Sequence, residues 1–292
     1  MANIQDFIKN SPYVKKIEVD NLLFVEFKCP MEEERSHIWC DNNFFAHALS
    51  GSTVLKTPTQ TYTLKPGDSV FAKKGGIISQ DTAEHDFCEL IIFVPDDFIK
   101  SVISKYKVNL SRSEPRQYVD TVIPLNSSSL LETYFQSLLP LFHEVHPPPT
   151  TLMKLKFEEL ILTLLSNDSH HALSCYFHQI CSWAKPSIVE IMEANFFSNL
   201  TLTDFARLCG RSLSAFKVEF NALYHETPGR WLLEKRLDYS RFLLETTDKN
   251  IGDIYFECGF ENLSHFIRAF KNRYNVTPGK FKLLMDRSAQ PH

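Results

Sequence analysis

The chain has 292 residues, of which 43% are hydrophobic and 23% charged, with a formal net charge of −4 at pH 7. That length suits two domains better than one, the composition is that of a globular protein in water, and the mild acidity does not by itself announce a nucleic-acid binder. Residues 1–20 carry Lys9, Lys15, Lys16, Asp6 and Glu18 without an apolar core segment, which speaks against a signal peptide. No window of 18 residues is free of charge and polarity, which speaks against a transmembrane helix and for a cytoplasmic protein. The seven cysteines, at 29, 40, 88, 175, 181, 209 and 258, are odd in number and contain no C-x-x-C. They read as free thiols in a reducing compartment, not as disulfides or a zinc site.

From residue 22 to about 95 the pattern predicts β structure. LLFVEFKC reads as a strand, and FFAHALSGSTVLKT and QTYTLKPGDSVFAKKG give short alternating runs. These are broken at Ser50-Gly51, Pro66-Gly67-Asp68 and Gly75-Gly76. FCELIIFVP is a near-continuous apolar strand closed by Pro95. Strands and turns at this spacing predict a small sandwich or barrel. Phe44, Phe45, Phe71, Phe87 and Phe93 are the expected core, and some of them are candidates to line an apolar ligand cavity. His37, His47 and His85 occur singly, without the paired spacing that a metal site needs, so no metal or other cofactor is expected.

Asp96 opens a helix, DDFIKSVISKYKV, with acids at its start and cations later, as the helix dipole favours. A loop-like stretch with Arg112, Pro115 and Pro124 follows. A helix is predicted from Ser127 to about His143, with Leu130, Leu131, Tyr134, Phe135, Leu138, Leu141 and Phe142 on its apolar face, stopped by Pro147-Pro148-Pro149. The next helix, which Thr150 or Thr151 can cap, places Leu152, Leu155, Phe157, Leu160, Ile161, Leu164 and Leu165 inward. The two should form a hairpin that packs on the β domain or pairs in part with a second subunit. His143-Glu144-Val145-His146 is not H-E-x-x-H and reads as structural or exposed. Ala172 to Trp183 predicts a further short helix, and Pro186 opens the first turn of another, Ile188 to Ala194.

The last third contains one pattern twice. Leu202 to Trp231 and Ile251 to Phe281 each predict a short helix, a Cys-Gly turn and a longer helix. Cys209-Gly210 lies 49 residues before Cys258-Gly259, while Phe216, Phe220, Tyr224 and Thr227-Pro228-Gly229 lie 50 before Phe266, Phe270, Tyr274 and Thr277-Pro278-Gly279. The one-residue difference falls in the turn, where insertions are tolerated best. Leu263, Phe266, Phe270 and Tyr274 recur at helical spacing and should form one buried stripe. Gly229 to about Glu245 predicts a long amphipathic helix between the repeats, with Trp231, Leu232, Leu237, Phe242, Leu243 and Leu244 inward. Residues 186–292 carry 14 Lys and Arg against 13 Asp and Glu, a net +1, whereas the first 185 residues sum to −5. Between 263 and 287 Arg268, Lys271, Arg273, Lys280, Lys282 and Arg287 face one acid, Asp286, which is the local cationic excess that a phosphate backbone requires.

Ile251, Ile254, Gly259, Phe260, Ser264, Phe266, Arg268, Phe270, Lys271, Thr277 and Pro278 fit the pattern I-x-x-I-A-x-x-x-G-F-x-x-x-S-x-F-x-R-x-F-K-x-x-x-G-x-T-P. On these residues the region 186–285 resembles the tandem helix-turn-helix domain of the AraC/XylS transcription regulators. Three positions depart from the pattern. Tyr255 stands where a small Ala is usual, and its ring must tilt the following helix or turn outward. His225 and Asn275 stand where a Gly closes each longer helix, a left-handed position that Asn adopts more readily than His. LSGSTVLKTPTQTYTLKPGDSVFAKKG is similar to the cupin-type sensing domain that precedes the DNA module in many members of that family.

The resemblance implies an α+β protein of two domains: a cupin-like β-barrel or sandwich with a helical hairpin, then an all-α domain of two helix-turn-helix units joined by a long helix. The implied division is 1–125 for sensing, 126–185 for the hairpin, dimerisation and linker, and 186–285 for DNA binding. The function implied is a sequence-specific transcription regulator, expected to be an activator and not an enzyme. Its partners would be double-stranded DNA, RNA polymerase, a second copy of the chain, and a small-molecule effector or regulatory protein at the N-terminal domain; no membrane is involved. One monomer would span adjacent major grooves, about 34 Å apart, and bend the duplex if its two reading helices lie closer than that. By similarity, base edges fall to Ser214, Lys217 and Val218 and to Ser264, His265 and Arg268, with Asn221 on the same outer face. The Arg268 guanidinium can pair bidentately with guanine, and Val218 can meet only a thymine methyl. Lys271, Asn272 and Arg273 are expected at phosphates. The alternative is a cupin-type metal enzyme fused to a DNA-binding module.

Overall fold

The computed structural model describes residues 2–11, 14–29, 35–81, 87–110, 120–166, 168–182 and 185–288, so His85, Arg112, Pro115 and Trp183 lie outside the described residues. The chain divides into two compact units, residues 1–185 and 186–292. In the first, β1 (Ala2–Asn3) leads into α1 (Ile4–Asn10), followed by β2 (Lys15–Val19), β3 (Leu22–Cys29), β4 (Arg35–Cys40), β5 (Asn43–Ser50) and β6 (Thr53–Lys56). Then come β7 (Thr61–Leu64), β8 (Ser69–Ala72), β9 (Gly75–Asp81), β10 (Phe87–Val94), α2 (Asp96–Tyr106), β11 (Val122–Leu125), α3 (Ser129–Leu138), α4 (Thr150–Leu165) and α5 (His171–Cys181). Among the described residues the strands form a five-stranded sheet, β1-β4-β9-β6-β7, and a six-stranded sheet, β11-β8-β5-β10-β3-β2. Neighbours are antiparallel except β1 and β4.

Of the barrel and sandwich that the strand spacing allowed, the chain adopts the sandwich, and the period-two alternation of its strands shows why. Leu23 and Val25 of β3, Phe44 and Ala46 of β5, and Ile91 and Phe93 of β10 share a core with Leu55, Leu64 and Ile77 of the other sheet. The alternate residues, Leu22, Phe24, Phe45, Leu90, Ile92 and Val94, pack instead with α2, α3, α4 and α5. The six-stranded sheet is therefore covered on both faces, which explains why β10 carries a continuous apolar run. Phe44, Phe87 and Phe93 lie inside the sandwich, and Phe45 and Phe71 lie under the helices. Asn43, fully buried, ties the layers together. Its amide donates to Asp96 at the start of α2 (2.7 Å), while its carbonyl accepts from Tyr176 Oη of α5 (2.8 Å) and from the Lys74 backbone (3.1 Å).

The helical layer departs from the sequence pattern in three respects. The helix expected to reach His143 is α-helical only to Leu138 and continues as a 3-10 turn over Leu139–Phe142. Pro140 has no N–H to give to a continuing α-helix. Neither Thr150 nor Thr151 caps α4, whose N-cap position is Pro149 without a side-chain bond. Leu130, Leu152 and Leu155, expected inward, are 68%, 37% and 51% exposed. α3 and α4 do pack on each other, with Lys156 Nζ donating to Ser137 Oγ at 2.9 Å.

The second unit is α6 (Ile188–Asn195), α7 (Leu202–Leu208), α8 (Leu213–Tyr224), α9 (Pro228–Thr246), α10 (Ile251–Glu257), α11 (Leu263–Tyr274) and α12 (Pro278–Ser288). Pro186 precedes α6 and does not open it: Ser187 is the cap and accepts from Glu190 N. Each later start in the repeat has its own cap, Thr201, Ser212, Thr227, Asn250 and Asn262, every one accepting a backbone N–H. No described helix is long and apolar enough to cross a membrane.

Candidate nucleic-acid interface

The two halves of the repeat fold alike. In the first, α7 and α8 are joined through Cys209 and Gly210; in the second, α10 and α11 are joined through Cys258 and Gly259. The glycines have φ of +64° and +75°, the left-handed conformation that lets a short turn reverse the chain. The extra residue of the second half lies in this turn, between Cys258 and Asn262. Phe216 and Phe220 of α8, and Phe266 and Phe270 of α11, are fully buried. They anchor each longer helix on one side and leave the opposite side to solvent. The backbone at the ends is left-handed as expected, at His225 (φ +56°) and Asn275 (φ +59°).

Ser214, Lys217, Val218 and Asn221 all lie on the exposed side of α8, with Val218 70% exposed. Ser264, His265, Arg268, Lys271 and Asn272 lie on the exposed side of α11. Three expectations about faces do not hold. Leu263 is 40% exposed, because it sits at the first position of α11, beyond the reach of the core under Phe266. Ile267, expected outward, is half-buried against the cluster around Leu237 and Phe270. Phe242 of α9 is 54% exposed, touching Tyr239 with its ring stacked at 6.4 Å. Tyr255 is accommodated half-buried on the edge of the second core.

The cations divide into two groups. Arg268 and Lys271 project from α11 without a carboxylate partner among the described residues. Arg273 instead turns back onto α9, where it pairs with Glu234 and, at 2.7 Å, with Asp238. Tyr274 Oη donates to the same Asp238 oxygen at 2.8 Å. Lys282 is likewise occupied, by the carbonyls of Thr247 and Lys249 beyond the end of α9. Between α9 and α11 runs a groove of about 500 Å³, lined by Leu233, Glu234 and Leu237 on one side and His265, Arg268, Ala269, Asn272 and Arg273 on the other. α8 is braced differently. Arg211 in the turn before it pairs with Glu219 at 2.7 Å and donates to the Pro186 and Cys209 carbonyls.

The matching tyrosines also differ. Burial raises the pKa of both phenols. For Tyr274 the bond from Arg273 opposes that rise and the one to Asp238 adds to it. The Tyr224 hydroxyl is buried with no hydrogen-bond partner among the described residues, and the nearby Glu193 charge adds to the rise. Pattern reasoning did not single out Arg236 of α9. Its guanidinium donates from Nε to the Phe196 carbonyl (2.7 Å) and from Nη2 to the Ser198 carbonyl (2.6 Å), and burial pulls its pKa down to about 10.

In the first unit, His47 is committed to packing. It is 2% exposed, stacks on Phe135 at 4.2 Å and bonds Ser69 Oγ through Nδ1 at 2.8 Å, and burial lowers its pKa to about 4. Among the described residues no group of three or more His, Cys, Asp or Glu is placed to hold a metal ion.

Two family models match the chain. Residues 43–176 match one described as the ExsA N-terminal regulatory domain, and residues 205–283 match one described as a helix-turn-helix domain. The HTH-type transcriptional regulator ExsA of Pseudomonas aeruginosa is 28% identical over 233 residues, 80% of this chain and 83% of its own length. The virulence regulon transcriptional activator VirF of Yersinia enterocolitica is 28% identical over 239 residues, 80% of this chain and 87% of its own. Among solved structures, an apo form of ToxT from Vibrio cholerae aligns over 92% of this chain and 99% of its own, with a TM-score of 0.45 and 14% identity.

Proposed function

The chain belongs to the AraC/XylS family of transcription regulators and is a DNA-binding regulator, and from that premise we propose that it activates transcription by laying α8 and α11 in neighbouring major grooves of one duplex. The observation that carries this is the twin exposed face: each helix is anchored by two fully buried phenylalanines and offers its hydrogen-bonding side to solvent. Ser214, Lys217 and Val218 on α8, and Ser264, His265 and Arg268 on α11, read base edges. Asn221, Lys271 and Asn272 meet the backbone and set the register. Arg273 acts at most through α9, given its carboxylate partners there.

In this reading residues 1–125 sense and residues 126–185 dimerise, while residues 186–285 bind DNA. The exposed leucines of α3 and α4, Leu130, Leu152 and Leu155, form the apolar contact with a second copy. A small ligand or a regulatory protein at the first unit shifts that equilibrium, and the DNA-bound form recruits RNA polymerase. The reading places the protein among regulators without catalysis of their own.

Selection of DNA sites by the purified full chain, with and without cell extract, tests the proposal. Two conserved tracts about one helical turn apart are expected, and footprinting should protect both. Selected sites with a single tract would overturn it. Leu155→Lys should shift sedimentation towards the monomer; an unchanged dimer would move the interface elsewhere.

A further inference from the structure

The two helix-turn-helix units meet on one short turn, residues 195–200, between α6 and α7. Asn195, Phe196, Phe197, Ser198 and Leu200 are all buried there. Arg236, from the middle of α9, closes on that turn from one side through the Phe196 and Ser198 carbonyls. Gly259, from the turn of the second unit, closes on it from another. A Cβ at Gly259 would lie 2.2 Å from the Phe197 carbonyl oxygen and 3.4 Å from Arg236 Nε. Of three successive carbonyls, the outer two are bonded by one guanidinium and the middle one faces the glycine of the second unit too closely to admit a side chain there. The Phe196 ring meets Tyr239 edge-on at 5.4 Å, and Lys235 pairs with Glu193 at 2.7 Å beside it.

A buried guanidinium is a costly way to fill space, since an aliphatic side chain of similar volume carries no desolvation penalty. Its planar fork has one property that an aliphatic chain lacks: gripping two acceptors at once, it fixes the distance and the rotation between the element it grows from and the element it grips. Here the first is the helix that carries the second unit and the other is the turn that carries the first. We propose that Arg236 is the positioning residue that sets the separation and roll of α8 relative to α11, and so the base-pair spacing at which the protein accepts a two-tract site. This rests on the reading of α8 and α11 as the DNA-contacting pair.

The test uses the full chain as wild type, Arg236→Lys and Arg236→Met. Lysine keeps the charge but reaches the carbonyls without a fork; methionine fills the volume without a buried charge, so that if one variant does not fold the other still carries the measurement. Tyr239→Leu, in the same core but away from the carbonyls, serves as comparator. Each binds four duplexes: the selected two-tract site, either tract alone, and the two-tract site with one base pair inserted, which moves one tract by about 3.4 Å and turns it by roughly 35°. Wild type should lose about tenfold or more on insertion. The Arg236 variants should bind the two-tract site about tenfold more weakly, bind single tracts within about twofold of wild type, and lose less than about threefold on insertion, because the linkage advantage of the second tract has gone. An unchanged insertion penalty would overturn the role of Arg236. A parallel loss on single and double tracts, the behaviour expected of Tyr239→Leu, would overturn it as well. If the wild type shows no advantage of two tracts over one, the DNA reading of the helix pair fails instead, which separates the two conclusions.

Discussion

The two helix-turn-helix units share a pattern and a fold but are held by different contacts. In the first, α8 is braced at its entrance, by Arg211 to Glu219 and to two carbonyls. The second is braced at its exit, by Arg273 and Tyr274 on Asp238. Among the described residues the first leaves a tyrosine hydroxyl buried without a partner, whereas the second satisfies the matching one. The first turn glycine has room beside it, its nearest neighbour Pro186 Cδ at 3.8 Å, whereas the second is pressed against a carbonyl. A duplicated motif therefore keeps its core stripe and its caps, and lets the contacts at its ends diverge according to what each copy is packed against.

The largest expected difference lies in the glycines. Gly210→Ala should cost about 1–2 kcal/mol, the price of a left-handed alanine. Gly259→Ala adds overpacking to the same strain and should cost at least about 3 kcal/mol. Urea melts of the full chain check this, and equal losses would erase the distinction. Next come the proposed base readers. Arg268→Ala should lose about 1–3 kcal/mol on cognate DNA and relax one base position. Lys217→Ala should lose less, and uniform weakening of Arg268→Ala across unrelated sequences would make Arg268 a phosphate contact. Third, the tyrosines should respond with opposite signs. Tyr274→Phe removes a bond to a carboxylate and should cost about 1 kcal/mol, while Tyr224→Phe relieves an unsatisfied hydroxyl and should be neutral or stabilising. No loss on Tyr274→Phe would show that the second copy's end contact carries no stability, and a loss on Tyr224→Phe of the same size would erase the difference between the copies. The smallest effect belongs to the helix ends. His225→Gly should stabilise by about 0.5 kcal/mol, and Asn275→Gly by less, since asparagine already tolerates the left-handed region.

Much of this was legible in the chain because it is periodic. The 49- and 50-residue offsets place both Cys-Gly turns, both phenylalanine pairs and both Thr-Pro starts. The unbroken apolar run of β10 follows from a sheet covered twice. Periodicity assigns a residue to a face but does not say where the covering partner ends. Leu263, Phe242, Leu130, Leu152 and Leu155 were misplaced for that reason: each lies on an apolar stripe at a point its neighbours do not reach. Charged residues on an amphipathic helix read as solvated, so the partners of Arg273, 35 residues away on Asp238, and of Arg236, 40 residues away on Phe196, carried no local signal. The Cys-Gly pair marked the turn, but not the carbonyl that packs against Gly259.

Asn43 bears on how the first unit could respond to anything that touches it. One fully buried amide holds the start of α2, the middle of α5 and the backbone after β8 at once. For α2 and α5 to slide across the strands, bonds to one fully buried amide would have to break together, which costs more than breaking them one at a time at the surface. One side chain therefore ties α2 and α5 to the six-stranded sheet. If the first unit senses as proposed, a change in the sandwich would reach α2 and α5 as a displacement of those helices and not as a change in how they are built.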